Sequence, residues 1–406
     1  MTTLKLNTKT WTLSYGKEKV QLTPPSVRKV RGERYENLPL YDEKAAGWLS
    51  ARRLLAIQAH ECTLKFAFVP GSVSVKMEGQ LMELGRDYKV NDVWGTVGRL
   101  EEGRITQGEQ VSISYSYYPS RMDTVFLDKG GHLAVKQGKE GMAHPEIPSI
   151  PKSCKHLANL YWHGDFTKLT EDMLYPVTET AFPNDLISIG FLPEKTLEKL
   201  RAGKPVRILA WGDSVTSCTY MLPEDRWQHQ FCRRLRERFP KAKIEMLSEG
   251  WGGRNTSSFF AVPPGEPHNF EENVLASKPD LIISEFVNDF GLSAEVFKAN
   301  YDKIQKAFAK IGAEWIIMTP HYTRPDSMGL TCSKNCDDDP RPYVTRVREF
   351  AAKNHIPLAD ASRYWGRLYR QGIPCEILFS NGINHPLKYG LSLYADALML
   401  LFPINN

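Results

Sequence analysis

No run of about 18 apolar residues occurs in the chain, so no helix is expected to span a membrane. The opening stretch, MTTLKLNTKTWTLSYGKEKV, lacks the apolar core of a secretory signal. A cytoplasmic protein, or a secreted one whose leader has been removed, is the expectation. An excess of one charge is also missing. Lys and Arg number 52 against 47 Asp and Glu, a formal net charge of +5 over 406 residues. That balance gives no reason to expect a nucleic-acid partner, which calls for a clustered basic face. Cysteine is sparse: seven residues, an odd number, are scattered from Cys62 to Cys375. This excludes a full disulfide framework. Cys332 and Cys336 share a polar loop where one disulfide or a metal is conceivable, yet no His or second Cys pair stands at zinc-site spacing beside them. No metal and no cofactor is expected, and no internal repeat or low-complexity tract is found.

What is present is an ordinary globular composition, 42% hydrophobic and 24% charged. The length suits two domains, at roughly 100–200 residues each. From 1 to about 170 the apolar pattern has period two. It is clearest in LKLN at 4–7, at 63–69, at 72–77, in QVSISYSY at 110–117, and at 123–135 around a Lys-Gly-Gly break. Alternation broken by Gly, Asp and Asn predicts antiparallel strands, and a β-sandwich is the natural fold for such a run. Residues 45–59 read either as one helix or as a loop leading into a strand. Residues 141–195 are rich in proline and lack periodicity, which reads as a linker running to about 192.

From 193 the period changes. Short apolar runs at 206–211, 243–247, 280–284, 315–318 and 356–359 alternate with helical patterns at 194–202, 226–239, 294–311, 344–354 and 389–401. Such alternation predicts a parallel sheet covered by helices on both faces, with sites at the carboxyl ends of its strands.

Four segments lie at those ends or close the sheet. Gly212-Asp213-Ser214-Val215 follows the first strand, where a serine can cap a helix or act as a nucleophile beside free main-chain N–H groups. Ser248-Glu249-Gly250-Trp251-Gly252-Gly253-Arg254-Asn255-Thr256 follows the second; its glycines make a tight turn or let the backbone approach a ligand. Phe286-Val287-Asn288-Asp289 follows the third and offers an amide that can donate to an oxyanion, or an Asx-turn. Ser380-Asn381-Gly382-Ile383-Asn384-His385-Pro386 precedes the last helix and offers a histidine as general base. The nucleophile-elbow pattern GxSxG is absent around Ser214, which argues against the ordinary α/β-hydrolase fold.

In order and spacing these four blocks resemble the SGNH hydrolase superfamily, also called the GDSL esterase/lipase family. The resemblance covers about residues 200–406 and leaves the N-terminal half unexplained. It implies a three-layer, flavodoxin-like α/β domain at 193–406. It implies Ser214 as nucleophile, His385 as base and then acid, and an oxyanion hole from the Ser214 and Gly253 N–H groups and the Asn288 side chain. Acyl transfer through an acyl-enzyme would follow. Trp251, Arg254, Asp289 and His321 are the residues expected to contact substrate, although Asp289 also suits a loop anchor.

Two positions depart from the family pattern. Phe286 stands where the third block usually has Gly. More seriously, the family places an Asp three or four residues ahead of the histidine, and here those positions are Gly382 and Asn381. No carboxylate lies between Glu376 and His385. A neutral amide can hold the imidazole tautomer but supplies no charge. Asn381 is therefore entered with Ser214 and His385 as a catalytic candidate. Orientation by Asn381 or a carbonyl, a carboxylate from elsewhere, an introduced Asp→Asn change and a weakened enzyme all stay open.

The expected function is a serine ester hydrolase acting on a small-molecule or glycan ester, with a carbohydrate O-acetyl group as the favoured substrate. A β-sandwich ahead of the catalytic domain is an arrangement similar to that of several carbohydrate deacetylases. A generic carboxylesterase or lysophospholipase is the alternative. A carbohydrate-binding protein on an impaired scaffold is another. So is a glycoside-cleaving one, which would use two of Asp213, Glu249 and Asp289.

Overall fold

A computed structural model describes residues 3–404 apart from 46, 184–186, 188 and 189. Two compact units are present, one of residues 1–180 and 368–384, the other of 181–367 and 385–406.

The first unit is built from antiparallel sheets and fits a β-sandwich. Leu4–Asn7, Thr12–Tyr15 and Glu18–Gln21 form a three-stranded meander. A four-stranded sheet is centred on Val111–Tyr117, between Arg28–Tyr35 and Ser74–Met77. Alternate residues of that central strand, Val111, Ile113 and Tyr115, enter one core with Phe68, Val75 and Val97. A second core lies against the sheet Leu133–Gln137, Arg121–Leu127, Lys155–Trp162 and Leu174–Pro176.

Two expectations change here, and one open reading is decided. Lys155–Trp162 was expected to be linker, yet it is an inner strand paired with Arg121–Leu127. Its prolines stand outside the strand, and its apolar residues are buried among the sheets rather than on one face. The rest of the proposed linker includes 184–186, 188 and 189, outside the described residues. The run 63–69 is not one strand: Phe66 sits at φ +64° and the Ala67 N–H turns back to Leu64 O at 3.2 Å. Among the described residues of 45–59 the elements are short 3₁₀ turns and two-residue strands, which fits the loop leading into a strand rather than one helix.

In the second unit five parallel strands, β1 (Pro205–Gly212), β2 (Lys243–Gly250), β3 (Leu281–Glu285), β4 (Glu314–Met318) and β5 (Leu358–Ala359), are ordered β2-β1-β3-β4-β5. This is the flavodoxin-like order. Strand residues alternate between two buried faces. Leu209, Trp211, Ile282, Trp315 and Ile317 share a core with Phe297, Tyr301, Ile304 and Phe308 of the helix Ala294–Ile311, and with Tyr343, Val344 and Val347 of the helix Pro342–Lys353. Ile208, Ala210, Leu281, Ile283 and Ile316, the intervening residues, are buried too. The helices Trp227–Arg238 and Lys388–Met399 pack together elsewhere in this unit.

The Ala294–Ile311 helix shows how local chemistry sets the ends. The Ser293 side chain accepts from the Val296 N–H, and Gly312 closes the helix at φ +75°.

Candidate active site

Ser214 is the first residue of a four-residue helix, Ser214–Ser217, at the carboxyl end of β1. Asp213 is its N-cap and accepts the Val215 N–H at 3.1 Å. The nucleophile candidate is thus held by a cap on one side and by close backbone packing on the other. A Cβ at Gly212 would lie 2.2 Å from Glu285 O, and one at Gly250 would lie 2.2 Å from Ser217 N. Glycine is required at both because strand ends and helix backbone touch there.

His385 Nε2 lies 3.2 Å from Ser214 Oγ, within reach for proton transfer. The Tyr220 ring stacks on the imidazole, with centroids 4.6 Å apart and planes 6° from parallel. Nothing in the local sequence marks Tyr220.

The second block lies against the serine: a Cβ at Gly252 would be 3.8 Å from Ser214 Cβ. Gly253 adopts φ +73°, and Gly252, Gly253 and Arg254 are exposed. In the third block, Asn288 donates both its main-chain N–H (3.1 Å) and its side-chain amide (3.0 Å) to Asp213 Oδ2. An amide NH₂ carries two hydrogens. One is spent on Asp213, which fixes the direction of the other.

Other expected contacts fall elsewhere. Asp289 is fully buried and holds the helix Thr256–Phe260, its Oδ1 accepting the Thr256 N–H at 2.9 Å and hydroxyl at 3.1 Å. His321 is also fully buried. Its N–H donates to the Tyr394 hydroxyl at 2.8 Å, its Nδ1 lies 2.7 Å from that oxygen, and its carbonyl accepts from Arg341 at 2.7 Å. As substrate contacts both are displaced by burial, since packing and internal hydrogen bonds occupy them. Trp251 is half-buried; its ring stacks on His268 at 4.7 Å, and the Arg254 guanidinium lies 4.9 Å from its centroid. Glu249 pairs with His268 Nδ1. With Asp213 and Asp289 buried, the two-carboxylate reading has no pair of free acids in these loops.

Three buried carboxyl groups, Asp213, Glu285 and Asp289, lie beneath this edge. Burial pushes Asp213 up to about 6, against N–H groups of Val215 and Asn288 and the His385 charge, which pull it down. Burial likewise raises Asp289 to about 7. Glu285 is raised well above the usual carboxylate range, by burial and then by the charges of Asp213 and Asp289. Glu285 was not singled out from the sequence, where it reads as the last residue of a strand.

Asn381 belongs to the first unit. It is buried, and its side chain bonds to Ile383, Asn384 and Glu61. Cys332 and Cys336 are separate thiols. Among the described residues, no group of three or more His, Cys, Asp or Glu is placed to hold a metal ion, and no helix is long and apolar enough to cross a membrane.

No protein-family model and no curated protein matches the chain. Solved structures do. A two-domain esterase active on acetylated mannans is 19% identical with a TM-score of 0.42, covering 53% of this chain and 56% of that one. The chain thus spans little more than half the length of that esterase. A GDSL-like lipase from Parabacteroides merdae is 16% identical with a TM-score of 0.41, covering 49% of this chain and 96% of that one. A lipolytic G-D-S-L protein from Desulfitobacterium hafniense is 16% identical with a TM-score of 0.36, covering 48% and 99%. By its own strand order the second unit has a flavodoxin-like α/β fold, with a Gly-Asp-Ser turn, a glycine block and an Asn-Asp turn at its strand ends.

Proposed function

We propose that this chain is a serine ester hydrolase, and that its substrate is an O-acetyl ester on a carbohydrate. The observation that carries the first part is the 3.2 Å approach of His385 Nε2 to Ser214 Oγ, beside an Asn288 amide locked by Asp213. In the reaction, Ser214 Oγ attacks the ester carbonyl carbon while His385 Nε2 takes the hydroxyl proton. The carbonyl oxygen becomes an oxyanion, met by the N–H groups of Ser214 and Gly253 and by the second hydrogen of the Asn288 amide. The tetrahedral centre then collapses, and His385 returns its proton to the departing alcohol. Water, activated by the same imidazole, releases the acid from the acyl-enzyme.

The finer reading rests on what surrounds the serine. Gly252, Gly253 and Arg254 are small or charged and exposed, which suits a short acyl group on a polar alcohol better than a long acyl chain. The similar two-domain esterase is described as active on acetylated mannans. For this chain the sugar is read from the polar rim alone.

The test is hydrolysis of 4-nitrophenyl acetate and butyrate, and of a panel of acetylated oligosaccharides, by the protein and by Ser214→Ala. Release of acetate that depends on Ser214 and favours the sugars supports both parts. Serine-dependent turnover that favours the simple esters leaves a generic carboxylesterase. Equal silence of both proteins removes the enzymatic reading.

A further inference from the structure

We infer that Tyr220 is a positioning residue for the base of the reaction, holding the plane of the His385 imidazole toward Ser214 and covering it with an aromatic face; this rests on the Ser214–His385 reading above. Both rings belong to the second unit. Their centroids lie 4.6 Å apart with planes 6° from parallel. For His385 Nε2 to meet Ser214 Oγ, at 3.2 Å, the imidazole must hold one value of its Cβ–Cγ torsion. That torsion is soft and roughly two-fold in a histidine. To leave its orientation the imidazole would have to swing an edge into the volume of the phenol ring. A parallel neighbour on one face thus restricts the rotation that would carry Nε2 off the serine.

The tyrosine is mounted on the nucleophile's own element. Ser214–Ser217 ends at Cys218, which takes φ +45° and donates its N–H to Ser214 O at 2.8 Å. A left-handed residue at a helix end reverses the chain, and the Met221 N–H closes the following turn on Cys218 O at 3.1 Å. Tyr220 stands inside that turn. Cys218 is fully buried, and the helix it closes is held by Gln228 Nε2, which donates to Thr216 O at 2.8 Å. Residues 214–221 therefore carry both the nucleophile and the ring against which its base lies, as one short piece of chain. The base is registered against the serine from the serine's own side.

The stack also has an electrostatic consequence. Burial holds the Tyr220 phenol well above its ordinary range, so the ring stays neutral. Its face carries partial negative charge. When Ser214 attacks, the proton taken by Nε2 makes the imidazole a cation, and a cation within about 6 Å of a ring centroid is attracted to that face. No carboxylate lies between Glu376 and His385 in the sequence, so the preceding stretch of chain supplies no negative charge to meet that cation. The phenol oxygen lies by Cys218 and takes no part in either effect; the ring carries both.

The test separates the ring from the space it fills. Tyr220→Phe, Tyr220→Leu and Tyr220→Met are assayed on 4-nitrophenyl acetate, with Ser214→Ala beside them and thermal unfolding recorded for each. Phenylalanine keeps the aromatic face. Leucine and methionine fill space without one, and the more adaptable methionine serves if the leucine variant does not fold. The ring-less variants are expected to lose about tenfold or more in kcat with KM within about twofold, since the contact orients a reacting group rather than binding substrate. Tyr220→Phe is expected to restore kcat to within about threefold of wild type. A spectroscopic signature accompanies the rates. The His385 ring-proton NMR signals, identified by their absence in His385→Gln, are shielded by the aromatic face; they should stay so in Tyr220→Phe and move downfield in the ring-less variants. Ring-less variants at wild-type kcat, a loss confined to KM, or an equal loss in Tyr220→Phe overturn the inference. If Ser214→Ala keeps its turnover, the hydrolase reading itself falls. If Ser214→Ala is dead and the ring-less variants are normal, only the role of Tyr220 falls.

Discussion

Asp213 and Asn288 are joined twice through one carboxylate oxygen, which accepts the asparagine main-chain N–H at 3.1 Å and its side-chain amide at 3.0 Å. In the proposed reaction the residue before Ser214 thereby sets the direction of the oxyanion donor. Loss of one such donor costs about 10²–10³ in kcat, which is the effect expected for Asn288→Ala. Asp213→Ala leaves the donor present but unaimed, and about 10² in kcat is expected from misplacement of this kind. Steady-state kinetics on one acetyl ester, with KM nearly unchanged in both, checks the assignment. Losses confined to KM would contradict it.

The same contact makes a statement about pH. Asp213 is raised to about 6 by burial. Ionised, its Oδ2 accepts both Asn288 groups; protonated, it is a poorer acceptor. The oxyanion arrangement is therefore intact above about 6 and weakens as pH falls through that value. Log kcat/KM should therefore fall as pH drops through about 6. In Asp213→Asn that fall should become shallower. An unchanged slope would show that Asp213 does not titrate in the working range.

Glu285 is expected to reveal itself in stability rather than in rate. Its carboxyl is raised well above its ordinary range by burial and by Asp213 and Asp289. A raised folded value means that the folded state holds the proton more tightly. Stability from this group is then full at acid pH and is lost as pH rises through the folded value. Glu285→Gln imitates the protonated form. Urea midpoints of the two proteins should agree at acid pH, and the wild type should fall behind at alkaline pH. Parallel curves would rule this out.

Two glycines near the site should respond oppositely to a methyl group. At Gly250 a Cβ would lie 2.2 Å from Ser217 N, in the backbone of the nucleophile helix. Gly250→Ala is expected to cost about 1–3 kcal/mol, the usual range for overpacking, and to reduce turnover. At Gly291 no atom lies within 4 Å of the added carbon. Gly291→Ala should stay within about 0.5 kcal/mol of wild type. Denaturant titration of both separates a true backbone contact from general intolerance.

Much of the second unit was legible because both of its periods are strong. The helix read at 294–311 is the helix Ala294–Ile311, since a Ser cap, an apolar stripe and a Gly stop agree. Lys155–Trp162 was missed because a strand buried among sheets loses the alternation that marks a half-exposed one; Asn159 in its middle is satisfied by Gly372 O at 2.8 Å, far along the chain. Ser214 and Asn288 were expected as motif residues after strands and His385 as one ahead of the last helix, and the structure brings the Ser214 and His385 side chains to 3.2 Å. Tyr220, which stacks on His385, was not expected, since that contact is distant in sequence. Glu61 meets Asn381 across 320 positions, and no local pattern encodes such a pairing. Asp289 and His321 were legible as residues at the right edge but not as buried ones, because the sequence shows the edge and not its depth.

In the proposed reaction Ser214 is a nucleophile activated by His385. The most direct measurement is labelling with a fluorophosphonate, followed by peptide mass spectrometry of the protein, of His385→Ala and of Ser214→Ala. One adduct on the Ser214 peptide is expected, formed far more slowly in His385→Ala and absent in Ser214→Ala. An adduct on another residue, or labelling of Ser214 that proceeds equally fast without His385, would contradict it.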